Sequence, residues 1–153
     1  MCIRDRPCGD GYQAGCKDVG LSKAHMIGAE QEAWLTRNLN SGDARWNVVA
    51  QQVMMMSLDR RWEQEGAPRK LLNLDSWAGY EAQRERLLAR MRGLNNVVVL
   101  TGDEHSNYAG LLHDRDQPVA VEFVATSISS DGDGQDMPPV SYTHLTLPTK
   151  RIV

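Results

Sequence analysis

The chain has 153 residues, 41% of them hydrophobic, and a formal net charge of −3. That length suits one domain with a real core, and the acidic balance speaks against a nucleic-acid-binding surface, which needs clustered Lys and Arg. The longest aliphatic run, Val97-Val98-Val99-Leu100, falls far short of the ~20 apolar residues of a membrane-spanning helix and of a signal-peptide apolar region. In chain order, residues 7–22 are rich in Gly, Asp and Lys without a hydrophobic period and are expected to be loop. From about 29 to 40 the spacing turns helical, with Leu35 and Leu39 four apart, Ile27 and Trp34 seven apart, and Glu30 and Glu32 in the first turn, where the helix dipole favours acids. Ser41-Gly42-Asp43 ends this helix. The mostly apolar run WNVVAQQVMMM at 46–56 predicts a strand, and residues 60–69, charged and holding Gly66 and Pro68, a surface excursion. A second helix is predicted over 80–92. It carries Tyr80, Leu87, Leu88 and Met91 on one face, its acids early and its arginines late, and Gly93 at the C′ position. Strands follow at 97–100 and 119–126. Continuous apolar strands alternating with amphipathic helices predict an α/β fold, a sheet covered by helices and not a one-sided antiparallel sheet.

The two ends differ from what they flank. MCIRDR at 1–6 and VSYTHLTLPTKRIV at 140–153 resemble peptides translated from sequencing-adapter DNA, so a non-native leader and tail are expected around a natural segment of 7–139. Setting aside Arg4, Asp5, Arg6, Lys150 and Arg151 removes three net positive charges and leaves −6 on that segment. Cys8 and Cys16 bracket GDGYQAG. Two glycines and an aspartate between them make a compact turn easy, so either a small disulfide-closed loop or two thiols fits; the disulfide is the expectation, and with it an oxidising compartment. The spacing excludes a C-x-x-C metal knuckle.

Chemistry concentrates where the run of four apolar residues meets Gly102-Asp103-Glu104-His105. Ligands of α/β sheets collect beyond the carboxyl ends of the strands. Gly102 would let the chain leave the sheet without a side chain in the way. Asp103 and His105, two apart, would share one side of an extended continuation, where a carboxylate oxygen and an imidazole nitrogen could hold one metal ion or adjacent ones. The bland alternative makes Asp103 a turn cap and gives His105 a backbone partner. Asn73, Asp75 and Tyr80 in NLDSWAGYEAQRERLL could line the same cleft, although an Asx turn or N-cap explains Asp75. The three methionines after Gln51 and Gln52 suit packing better than metal binding, with Gln52 a further cleft candidate. DGDGQD at 131–136 lacks the later acid of a calcium loop. His25 and His113 have no partner pattern, and Ser106 has no triad around it. There is no nucleophile elbow, phosphate-binding glycine loop or zinc spacing.

IGAEQEAWLTRNL, ARWNVVAQQVMM, NLDSWAGYEAQRERLL, VVVLTGDEHSNYA and VEFVATSISS, in this order, resemble the C-terminal part of a PhoD-type alkaline phosphatase catalytic domain. The resemblance covers nearly all of 7–139 and implies a partial calcineurin-like metallophosphoesterase αββα sandwich, an incomplete fragment. It implies hydrolysis of phosphate monoesters or diesters by metal-activated water, with iron and calcium as cofactors, in a periplasmic or extracellular enzyme. The family's G-D-x-H motif falls on Gly102, Asp103 and His105, making Asp103 and His105 the expected metal ligands. Its D-x-W-D-G-Y motif falls on Asp75, Trp77, Ala78, Gly79 and Tyr80, with Ala78 in place of the second aspartate and, elsewhere, Ala125 where glycine or threonine is usual. The family's export signal, further aspartate motifs, cysteine-and-tyrosine ligand pair and W-D-D-H-type segment have no counterpart here. The missing partner is therefore the N-terminal half of the same domain, and the chain alone is expected to be inactive toward a small phosphate-ester substrate. Two rivals remain: a non-catalytic α/β binding module, in which Asp103 and His105 are turn and core residues, and a nuclease-type phosphodiesterase of the same superfamily, which the acidic charge disfavours.

Overall fold

The computed structural model describes residues 12–13, 16, 20–39, 44–60, 71–125 and 144–146. Its elements are β1 (Tyr12–Gln13), α1 (Ala29–Leu39), β2 (Asn47–Ala50), β3 (Leu72–Asn73), α2 (Glu81–Met91), β4 (Val97–Thr101), β5 (Tyr108–Asp114), β6 (Gln117–Val124) and β7 (His144–Thr146). β1 and β3 make a two-stranded antiparallel ribbon, and the remaining strands form one sheet in the order β2-β4-β6-β5-β7. β2, β4 and β6 run parallel, while β5 is antiparallel to both β6 and β7. The result is a mixed α/β sheet with helices, as the apolar strands and helical periods require. The second large sheet of a sandwich is not formed by the described residues. β7 lies inside the stretch whose composition sets it apart as a tail.

Both helices follow their sequence signals. α1 carries Glu30 and Glu32 in its first turn and Arg37 in its last. It turns Leu39 and the half-buried Leu35 to the core, whereas Trp34 is exposed. In α2, Leu87, Leu88 and Met91 are buried with Tyr80 just before it, and Gly93 adopts the left-handed conformation that stops a helix (φ 79°). Ser76 caps the short 3-10 turn Trp77–Gly79 ahead of α2, its side chain accepting from the Ala78 amide. Gly79 is demanded by space, since a β-carbon there would collide with the Leu74 carbonyl.

Two strand expectations need correction. The predicted strand at 46–56 stays in the sheet only through Ala50. The Gln51 amide still donates to the Leu100 carbonyl (3.0 Å), and then the chain leaves the ladder. Beyond that point side chains and a turn meet the backbone's hydrogen-bond needs: the Met55 and Met56 amides donate to the Glu122 carboxylate (2.8 and 2.7 Å), Met54 accepts from Trp77 (3.2 Å), and Met55 accepts from the Arg84 guanidinium. Val53 and the three methionines remain buried, which is their packing role. β5, in a stretch between the strands predicted at 97–100 and 119–126 where none was expected, forms a hairpin with β6 around Arg115, whose φ of 55° makes the tight reversal.

The sheet's two faces differ sharply. One is covered by α2 and by the methionine segment, burying Val49, Val97, Val99, Leu112, Ala120 and Val124. The pairing register builds the other from two cross-strand rows, Val48-Val98-Val121-Leu111 and Ala50-Leu100-Phe123-Ala109. All eight are apolar and none is buried.

Candidate functional site

β4 lies between two parallel neighbours, so the residues after Thr101 emerge where three strand carboxyl ends meet. The exit is not the extended continuation expected from spacing. Asp103 (φ 71°) and His105 (φ 50°) are both left-handed, a conformation that a β-carbon makes uncommon, and both are exposed. Gly102 is not left-handed, and a β-carbon on it would meet only the Ala125 carbonyl at 3.9 Å. Among the described residues, steric need for that glycine is therefore absent.

Glu104, between the two, points the other way. Its side chain is 7% exposed and ion-paired with Arg60, whose side chain is 5% exposed. The Asn73 side-chain amide donates to the same carboxylate (3.4 Å), which brings one expected cleft residue to the Asp103–His105 loop. Asn73 also supplies the local Asx turn, accepting from the Asp75 amide (3.1 Å). Asp75 itself is half-buried, and Gln52 is exposed in the bend after β2. Tyr80 belongs to the core at 0% exposure, which corrects its expected place on a cleft wall. Cys16 is disulfide-bonded; Cys8, its expected partner, lies outside the described residues. His25 is exposed and His113 half-buried.

Beneath the exit runs a buried polar chain that sequence reasoning missed. The Trp77 indole donates to Gln51 Oε1, Gln51 Nε2 to Thr101 Oγ1 (3.1 Å), and Thr101 Oγ1 to Glu122 Oε1 (2.7 Å). Burial pushes the Glu122 carboxyl above its ordinary range, opposed by the Met55 and Met56 amides, the Thr101 hydroxyl and the Arg84 charge. Burial likewise lowers Arg84, opposed by Glu122 and two nearby acids. The clue was available: Glu122 shares the inward phase of β6 with Ala120 and Val124, so period two places its carboxylate in the core. Arg60 and Glu104 carried no comparable pattern, being 44 residues apart.

A carboxylate and an imidazole exposed on one short loop suit a transition metal, and the carboxylate also suits calcium. They fit as part of a donor set: the described residues hold no group of three or more His, Cys, Asp or Glu able to bind one ion. A separate cavity of about 290 Å³ between α1 and β2, walled by Trp34, Trp46 and Val48, contains none of these residues.

A model of PhoD-like phosphatases matches residues 3–151, a span that takes in most of both unusual ends. Alkaline phosphatase D of Bacillus subtilis (strain 168) is 43% identical over 139 residues, covering 86% of this chain and 23% of that protein. A solved structure of PhoD superposes with a TM-score of 0.73 at 39% identity, covering 83% of this chain and 25% of its own. The chain thus spans about a quarter of the length of the relatives it matches. Sequence family, fold and relatives agree, and the chain belongs to the PhoD-like phosphatase family.

Proposed function

We propose that this chain contributes part of the active centre of a metal-dependent alkaline phosphatase acting on small phosphate monoesters or diesters. The observation that carries the reading is the exposure of both Asp103 and His105 at the carboxyl end of a central parallel strand. The rival binding module would have been favoured by a fold that held these two groups far apart, or buried among local backbone partners with no cleft. Asp103 offers a hard oxygen donor and His105 a nitrogen donor, which fits iron with calcium close by. Metal ions at such a centre supply Lewis acidity toward phosphoryl oxygens and a nucleophile at neutral pH. Asn73, bonded to the intervening Glu104, keeps an amide close to the loop for substrate or loop contacts. The described residues supply only two donors; in this reading the others belong to the rest of the family's catalytic domain, and the chain alone is inactive. The Cys16 disulfide suits an exported, periplasmic or extracellular enzyme, with Cys8 as its partner. No helix among the described residues is long and apolar enough to cross a membrane.

Two measurements test this. The 153-residue chain supplied with iron and calcium should show no turnover of p-nitrophenyl phosphate or its diester; turnover abolished by Asp103→Ala would overturn the claim that it needs outside donors. In intact Bacillus subtilis alkaline phosphatase D, alanine at the residue aligned with His105 should remove activity and bound metal. Full retention of both would sink the ligand assignment.

A further inference from the structure

Three consecutive potential donors, Asp103, Glu104 and His105, leave the sheet together, yet only the outer two are exposed. We propose that Glu104 is a positioning residue, its carboxylate drawn inward by Arg60 and Asn73 so that Asp103 and His105 are both presented outward. This rests on the reading of Asp103 and His105 as metal ligands.

Left-handed backbone at two non-glycine residues persists only where surroundings over-determine it, and Glu104 is the residue they flank. Its ion pair with Arg60 is almost wholly out of water. Removing either member would strand the other as an uncompensated buried charge, so the pair resists opening. Arg60 is itself fixed, for its amide donates to the Leu71 carbonyl (2.8 Å) and the Leu71 amide to Asp59 (3.3 Å). That pairing joins the Arg60 segment to the chain entering β3, which carries Asn73. The loop is thereby tied to the ribbon and not to the sheet alone. The inward pull also takes a second carboxylate out of competition for the ion, which fixes which two donors face it.

Cobalt(II), followed by its visible absorption bands, is the probe. With water completing the coordination sphere of two protein donors, the folded chain should bind it weakly, and Asp103→Ala or His105→Ala should abolish the bands; a chain that shows no bands at any cobalt concentration would overturn the proposal. Glu104→Ala should weaken binding by about tenfold or more and change the band shape, the size expected for a partner that orients a ligand. Glu104→Gln, which keeps an acceptor for Asn73 but loses the ion pair, should fall between and so partly rescue both. Far-UV circular dichroism monitors folding; if Glu104→Ala unfolds, Glu104→Gln and Asn73→Ala carry the test. Wild-type affinity and bands in the Glu104 variants, with loss in the Asp103 and His105 variants, would overturn the positioning role alone. Cobalt binding indifferent to Asp103→Ala and His105→Ala would sink the ligand reading, and this proposal with it.

Discussion

The covered and bare faces of the five-stranded sheet are made from the same strands, residue by alternate residue, yet they live in different solvents. On the covered face Val99 is 0% exposed and Glu122 is 0% exposed, so even a carboxylate there has had to find partners within the protein. On the bare face Val48 is 57% exposed and Phe123 44%. A sheet that meets water on one side normally alternates apolar with polar residues. These strands are apolar on both sides, the pattern of a sheet destined for cover on both, and an apolar surface of this kind marks an interface. The composition of the strands therefore describes a more complete assembly than the described residues form.

The largest effect expected from breaking this contrast is at Glu122, the fully buried carboxylate of the covered face. Glu122→Ala leaves the Met55 and Met56 amides and the Thr101 hydroxyl without their acceptor and should cost about 4 kcal/mol in urea unfolding. A loss within the noise of a surface substitution would mean that the buried chain of polar groups is not holding the methionine segment. Next comes a matched pair. Leu87→Ala, at a position 0% exposed beneath the covered face, should cost about 3 kcal/mol, whereas Leu100→Ala on the bare face, 44% exposed, should change stability by about 0.5 kcal/mol or less. Equal losses would show that the bare face is covered in solution.

The pH dependence sharpens the same comparison. A carboxyl raised by burial keeps its proton in the folded chain at pH values where the unfolded chain has released it. Stability from Glu122 is therefore complete below the ordinary value of 4.5 and is lost as pH rises through the higher folded value. Glu122→Gln should flatten that decline in unfolding free energy measured across a pH series. Glu32, at the helix surface, works in the opposite sense. Its hydrogen bond with Arg86 comes first among the causes that lower it, so its contribution is present above the ordinary carboxylate range and fades as pH falls through the lowered one. Because Arg86 is 43% exposed in that pair, Glu32→Ala should cost only about 0.5 kcal/mol at neutral pH.

Both helices and β4 could be read from the chain because their signals are local: a 3.6-residue period, acids ahead of bases, a glycine stop and a short β-branched run. β2 was overextended for an equally physical reason. Apolar composition reports burial, and residues 53–56 are buried, but it does not report that Glu122, some 66 residues later, replaces the neighbouring strand as hydrogen-bond acceptor. β5 escaped because Gly110 and the reversal at Arg115 look like loop in isolation, and only the pairing with β6 makes seven residues a strand. At the candidate site, the motif on Asp103 and His105 was legible, and so was Asn73. The left-handed turns at both ligand candidates and the inward Glu104 were not, since they depend on Arg60, which arrives from another part of the chain.

β2 is the outermost strand at its side of the sheet, pairing only with β4 among the described residues. The amides of Asn47 and Gln51 point toward β4, so those of Val48 and Ala50 face away from it. A margin of this kind is a template: it can recruit an extended segment by main-chain pairing with little regard to that segment's side chains. Concentrated solutions of the chain should accordingly thicken by strand-to-strand stacking long before the helices melt, and a proline placed at position 48 would blunt that growth.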